Sequence, residues 1–335
     1  MRSSLQDLLA ARPVLLADGA TGTNYFQLGL GAGDPPEFWN VDRPDLVAGL
    51  HRSFVDAGAD IILTNTFGCN RYRLALHRSA DRVGELAEAA AKVARSVADA
   101  SPRPVVVAGS VGPTGELFAP LGRLERDDAV AAFREQIDGL CAGGADVAWI
   151  ETMSATEEIS AAATAAIEAG VPYVATCSFD TAGRTMMGLP PAELGDVFAD
   201  LTVPPVAYGA NCGVGAPDIL ASLLELTGAD GSAAVVCKGN CGIPQFQGTE
   251  IVYSGTPELM ARYARVAVDG GARIVGGCCG TSPAHLAAMR AAIDQHQPGG
   301  RPDLGLIIGD IGPLANAAPG AATRAASRGA SRRRR

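Results

Sequence analysis

The sequence predicts a (β/α)8 barrel of the TIM type, and three observations carry that prediction. Eight short apolar runs recur along the chain, at 14–17, 60–63, 105–108, 146–150, 173–176, 206–209, 234–237 and 273–275, each followed by polar or glycine-rich residues and then by helical spacing of apolar positions. The runs lie roughly 27 to 46 residues apart, room for a helix that crosses back to a parallel neighbour. Their composition is continuous Val, Ile, Leu and Ala, as expected of strands covered on both faces. Eight such units close most economically into a barrel, with an open doubly wound sheet as the alternative.

Taken in order, the intervals support these elements. After the first run, Leu46, Val47, Leu50, Phe54 and Val55 fall on one helical face; after the second, Leu86, Ala89, Val93 and Val97 do the same. The eighth run is followed by Thr281 or Ser282 as a helix N-cap and Pro283 at the first helical position. Beyond Gly312-Pro313 the chain turns to Ala, Gly, Ser and Arg, which builds no core. The expected organisation is therefore one barrel over residues 1–315 and a disordered arginine-rich tail over 316–335.

Composition narrows the function classes. With 47% apolar and 19% charged residues the chain buries a sizeable core. Six of the 27 Lys and Arg residues, and no acid, lie in the last twenty positions, so 21 basic residues face all 36 acidic ones in the body. An acidic body argues against nucleic acid as a partner. No apolar stretch reaches the roughly 20 residues a membrane span needs, and the N-terminus lacks a signal-peptide layout. Eight cysteines, several beside glycine in apolar runs, do not form a secreted disulfide pattern. A cytoplasmic protein with reduced thiols and small-molecule substrates is expected; a homo-oligomer is compatible with this composition.

In such barrels reactive groups collect where strands end. That rim reads Asp18, then Thr64-Asn65-Thr66-Phe67, Ser110, Glu151-Thr152, Ser178-Phe179-Asp180, Asn211-Cys212, Asn240-Cys241 and Cys278-Cys279. Neighbouring residues on a strand point to opposite faces, so Cys278 and Cys279 reach one atom only if the backbone breaks, which the flanking glycines permit. Runs six and eight both flank run seven, which brings Cys212 within reach of the pair. Three thiolates suit zinc with one coordination position open. Cys241, at the tip of run seven, competes for the third place. Cys69, Cys141, Cys177 and Cys237 are assigned to packing. His51, His77, His285 and His296 fall in or beside helical intervals, which leaves the rim without a histidine and removes Ser-His-Asp and Cys-His catalysis. Asp18 and Glu151, with no lysine expected beside them, suit an ammonium-bearing ligand such as an amino acid.

Together these residues resemble the homocysteine S-methyltransferase family, which includes betaine-dependent and S-methylmethionine-dependent enzymes and the homocysteine-binding domain of cobalamin-dependent methionine synthase. The likeness runs over about residues 10 to 296, through Ala17-Asp18-Gly19-Ala20-Thr21-Gly22-Thr23, Thr64-Asn65-Thr66-Phe67, Glu151-Thr152, Gly209-Ala210-Asn211-Cys212 and Gly276-Gly277-Cys278-Cys279-Gly280-Thr281. It implies zinc held by Cys212, Cys278 and Cys279, ranks Cys241 below them, and gives Asp18 and Glu151 to the homocysteine amino group, with Thr66 and Asn211 as further substrate contacts. The texture looks closest to bacterial betaine-type members, which implies glycine betaine as methyl donor and Trp39 and Phe67 as aromatic faces for its cation, followed by Phe38 and Tyr72. Animal betaine enzymes carry tyrosines where this chain has Gly68 and Thr152, so a sulfonium donor or a separate corrinoid partner stands as the alternative. A non-catalytic metal- or thiol-binding protein is the alternative from another class.

Overall fold

The structure is a computed structural model that describes residues 2–228, 234–242, 244–247 and 250–316. Its strands are β1 (Leu15–Leu16), β2 (Ile61–Leu63), β3 (Val106–Val111), β4 (Val147–Met153), β5 (Tyr173–Cys177), β6 (Ala207–Cys212), β7 (Ala234–Gly239), β8 (Pro244–Gln247), β9 (Glu250–Tyr253) and β10 (Ile274–Gly277). All but β8 and β9 join one parallel sheet in the order β1-β10-β7-β6-β5-β4-β3-β2. Its two ends meet: Ala17 bridges Ile61, and the Asp60 N–H donates to the Leu16 carbonyl at 2.7 Å. The molecule is therefore a closed (β/α)8 barrel, and the open-sheet alternative falls away.

The period of two along each strand sorts the core into an inner and an outer set. Leu15, Ala17, Ile61, Leu63, Val106, Ala108, Val147, Trp149, Val174, Ala207, Val236 and Ile274 fill the barrel, and Leu5 and Leu8 of the helix Leu5–Ala11 pack against them. Their neighbours, such as Leu16, Ile62, Val107, Ile150 and Val275, pack outward against the helices. Continuing each inner series by two residues reaches Ser110, Glu151, Thr176, Lys238 and Gly276. The inward positions thus change from apolar to polar as the strands approach their C-terminal ends.

Most sequence-predicted helices appear where expected, including Pro44–Asp56, Val83–Ala100 and Pro283–Asp294. The Ser282 N–H and hydroxyl meet His285 Nδ1 at 3.1 and 2.8 Å, closing the start of the last of these. Three features differ from expectation. The fifth interval holds only a 3-10 helix, Pro191–Phe198, whose interior Gly195 weakens it as an α-helix. β8 and β9 pair as an antiparallel hairpin between β7 and the helix Pro257–Asp269. Cys141 is exposed rather than packed, whereas Cys69, Cys177 and Cys237 are buried as expected. No helix among the described residues is long and apolar enough to cross a membrane. Apart from Asn316, whose N–H donates to Asp218 at 2.9 Å, the expected tail lies outside the described residues.

At the end of the barrel remote from the polar layer, Asp60 is 1% exposed and accepts from the Leu16 N–H at 3.0 Å and from Arg12 at 2.6 Å, with Arg103 and Arg290 at 3.3 and 3.4 Å. It ties β1 to β2 and to the last barrel helix. Asp60→Ala should lower the unfolding free energy by about 2–3 kcal/mol, less than loss of a fully buried pair because the arginines keep some solvent. Urea denaturation checks this; a change under 1 kcal/mol would contradict the role given to Asp60.

Candidate active site

At the C-terminal ends of the strands lies a cavity of about 730 Å³, within the range of small-molecule sites. The half-buried Cys212, Cys278 and Cys279 and the buried Glu151, Lys238 and Ser110 line its floor; Phe26, Phe67, Arg73, Leu76 and His77 line its mouth, and the buried Glu37 also lines the cavity.

The cysteines converge because of register and a backbone break. Cys212 ends β6 opposite Gly239 of β7, and Gly277 ends β10 opposite the same Gly239. The chain then turns: the Cys278 N–H still donates to the Gly239 carbonyl at 2.8 Å, while the Thr281 N–H closes back on the Cys278 carbonyl at 3.1 Å. Gly280 sits in that turn at φ +80°, where a side chain would strike Tyr253 and Cys241. Cys212 itself adopts φ +62°, a conformation costly for a non-glycine residue and found at functional sites. The three sulfurs lie within 4.8 Å of one another, with Cys212 and Cys279 at 4.0 Å. Four ligands at 2.3 Å around a tetrahedral ion stand about 3.8 Å apart, so the spacing fits zinc closely. Cys241, the competitor for the third place, is buried and stands outside this group.

Two asparagines support the sulfurs. Asn240 accepts the Cys279 N–H at 2.8 Å and donates to Gly213 O at 2.7 Å and to Cys212 Sγ at 3.5 Å. Asn211 accepts the Thr152 N–H at 2.8 Å, donates to Thr152 Oγ1 at 2.7 Å and reaches Cys278 Sγ at 3.9 Å. Both place N–H donors on sulfur, which favours thiolate. Three half-buried thiols this close resist ionising: mutual hydrogen bonds of mixed sign and desolvation leave all of them above the ordinary thiol value, Cys212 and Cys279 at about 12. A divalent cation between them reverses that effect.

On the adjoining wall, Glu151 continues the inward series of β4 into the barrel mouth, a register shift falls between Ile150 and Met153, and Thr152 takes φ +62° under the grip of Asn211. Glu151 accepts from Ser110 Oγ at 2.5 Å. Burial pushes its carboxyl up, with Lys238 and Ser110 opposing. Lys238 is fully enclosed, its Nζ 2.9 Å from Asp18 Oδ1 and 5.7 Å from the Trp149 ring. Burial pulls Lys238 down, but Asp18 and Glu151 outweigh it and hold the ammonium above its usual value. Gly276 makes room for the lysine stem, since a side chain there would meet Lys238 Cγ at 2.9 Å.

Residues 15–293 match the sequence profile of a family described as homocysteine S-methyltransferase. This chain belongs to the homocysteine S-methyltransferase family. Methionine synthase from Mycobacterium tuberculosis (strain ATCC 25618 / H37Rv) is 34% identical over 310 residues, covering 87% of this chain and 25% of that protein. Methionine synthase from Mycobacterium leprae (strain TN) is 32% identical with the same coverage. The chain thus spans about a quarter of the length of these curated relatives. The crystal structure of the homocysteine methyltransferase MmuM from Escherichia coli, metallated form, matches with a TM-score of 0.72 and 25% identity over 85% of this chain and 98% of that one.

The structure brings some of the expected site residues to this cavity and gives others different partners. A lysine does stand beside the carboxylates, and Asp18 faces it rather than the cavity: Oδ1 takes Lys238 and Oδ2 accepts the Leu63 N–H at 2.7 Å. The amide of Asn211 is spent on Thr152 and Cys278, which line the cavity, while Asn211 itself does not. Trp39 packs tilted against Tyr25 at 5.1 Å with Arg43 over its ring and does not line the cavity, and Phe38 packs against His77 and Arg82. Tyr72 is likewise absent from the lining. Phe67 does line the mouth, 41% exposed, and Thr66 lies below it with its hydroxyl on the Ser110 carbonyl at 2.7 Å. His77 reaches the mouth after all. Sequence reasoning missed three residues: Lys238, legible from the inward period after Val236; Glu37, a buried carboxylate accepting the Gly68 N–H at 2.7 Å; and Tyr253, which the hairpin carries to Cys279.

The raised Glu151 carboxyl has a consequence for stability. From the ordinary value of 4.5 upward the unfolded chain has released this proton while the folded chain holds it, so stability falls as pH rises through that window. Metal-free wild type should therefore lose more unfolding free energy between pH 4.5 and pH 7 than Glu151→Gln. Urea denaturation at both pH values checks this, and equal losses would contradict it.

Proposed function

We propose that this chain is a zinc-dependent methyltransferase that moves a methyl group to the thiol of L-homocysteine, giving L-methionine, with glycine betaine as donor and dimethylglycine as second product. Family membership supports the acceptor. The observation that carries the reading is the convergence of three cysteine sulfurs on the floor of a cavity whose wall holds the buried carboxylate of Glu151. Cys212, Cys278 and Cys279 are the residues that would hold zinc, and their spacing and thiol chemistry fit it. Bound there, zinc supplies acceptor thiolate at neutral pH, where a free thiol with a pKa of about 8.5 is mostly protonated.

The chain's own groups do the rest. Asn240 and Asn211 orient the cysteines through their N–H donors. Glu151 takes the acceptor's amino group, while Asp18 acts as the fixed partner of Lys238. In the cavity lining, the Phe67 ring at the mouth and the buried Glu37 carboxylate suit a trimethylammonium head, an aromatic face and an anion being the two groups that hold such a cation. As the sulfur–carbon bond forms, the carbon–nitrogen bond breaks and its electron pair returns to nitrogen, so no proton moves in the transfer step. Holding sulfur, methyl carbon and nitrogen in line along the cavity is then the main catalytic task, one where orientation contributes several kcal/mol. Residues 1–315 are the working unit in this proposal, in a thiol-reducing cytoplasm, and 316–335 take no part. A second reading, a corrinoid carried by a separate protein, is favoured by the kinship with methionine synthases of which the chain covers a quarter.

Cys212→Ala, Cys278→Ala and Cys279→Ala should each lose bound zinc and activity, while Cys241→Ala keeps both; full zinc in any of the first three, measured by plasma emission after gel filtration, refutes the ligand set. Zinc-loaded enzyme with homocysteine should release dimethylglycine from betaine, and Phe67→Ala should raise the betaine KM about tenfold with little change for homocysteine. Methionine formed solely from S-methylmethionine or methylcobalamin overturns the donor.

A further inference from the structure

Two charged groups of opposite sign face the floor of the cavity, and their free hydrogen-bonding positions match a zwitterion. Glu151 spends Oε1 on Ser110, and its second oxygen has no protein partner among the described residues. Lys238 donates one of its three N–H groups to Asp18, its one acceptor among the described residues, although the side chain is only 3% exposed. Lys238 lines the cavity and Asp18 does not, so the ligand meets an ammonium where two carboxylates were expected. Two carboxylates together would read only a cation. A carboxylate and an ammonium on one wall read both ends of an α-amino acid.

We propose that Lys238 is a specificity-determining residue that binds the acceptor's α-carboxylate, leaving the amino group to Glu151. Asp18 then positions Lys238, and Gly276 and the Trp149 ring hold its stem and head against the barrel axis. This inference rests on the acceptor proposed above and assigns its recognition to a pair of opposite charges.

The test compares L-homocysteine with 3-aminopropane-1-thiol, which lacks the carboxylate, and 4-mercaptobutanoate, which lacks the amino group, by calorimetric titration into zinc-loaded protein. Wild type should lose at least about thirtyfold in affinity when the carboxylate is removed, the lower end for a buried charge pair. In Lys238→Met the two ligands should bind within about threefold of each other, while 4-mercaptobutanoate remains penalised through Glu151. Since Lys238→Met leaves Asp18 buried without a counter-charge, Lys238→Met/Asp18→Asn removes both charges and should show the same pattern with wild-type zinc content. A merely structural lysine would depress all three ligands alike and keep their ratios, which overturns the assignment. Homocysteine binding with unchanged ratios overturns Lys238 alone; no homocysteine binding by wild type overturns the proposed acceptor as well.

Discussion

The parallel register of β6, β7 and β10 is the constraint on which the site depends. Gly239 of β7 is the common point: Cys212 lies across from it on one side and Gly277 on the other. Cys278 extends that pairing by one more hydrogen bond before the chain turns. A slip of one residue in the β7–β10 ladder would move Cys278 to the outer face, since side chains alternate, whereas Cys212 stands on the outward parity of β6 and meets the others at a φ of +62°. Two strands separated by a third stand about 10 Å apart, too far for direct contact of backbones yet within reach of side chains that lean over the strand between them. The sulfur group is thus a product of sheet order, held by hydrogen bonds that have nothing to do with sulfur.

Stability and chemistry are divided along the barrel axis. Toward the N-terminal ends of the strands the interior is Leu, Ile, Val and Ala, locked by Asp60 and its arginines. Toward the C-terminal ends the same inward positions carry Ser110, Glu151, Lys238 and Cys278, joined by Cys212 and Cys279 where the backbone leaves the regular strand, and there the structure departs from low-energy backbone. Thr152 and Cys212 both stand near φ +62°; the Asn211 amide holds Thr152 and also reaches Cys278 Sγ, and the Asn240 amide donates to Cys212 Sγ. Strain of this kind persists only where the surroundings over-determine it. Here the surroundings are the bulge in β4 and the paired ends of β6 and β7.

Charge balance shapes the site as much as geometry does. Asp18 and Glu151 alone would leave two buried anions beside three sulfurs. Lys238 reduces that load and orders the wall, because its enclosed ammonium is fixed by Asp18 at 2.9 Å. The kinship with MmuM over 98% of that chain, against a quarter of the mycobacterial methionine synthases, indicates that this barrel is a unit found both alone and within a longer protein.

From the sequence alone the barrel is favoured over an open sheet, the strand tips that carry Asp18, Glu151, Cys212, Cys278 and Cys279 are legible, and so is the need for a backbone break between the paired cysteines. These follow from local spacing, which repeats every βα unit, whereas the family enters as a resemblance of motifs. Only the tertiary structure decided which rim residues face the cavity. Trp39 reads as an open aromatic face but packs against Tyr25, and Asn211 reads as a ligand contact but bonds Thr152, because side-chain partners come from other elements of the chain. Lys238 and Asp18 are 220 residues apart, and no spacing rule joins them. The hairpin that delivers Tyr253 interrupts a unit whose period gave no sign of it. Periodicity tells a residue's face on its own strand; what stands opposite that face depends on how the ring closes.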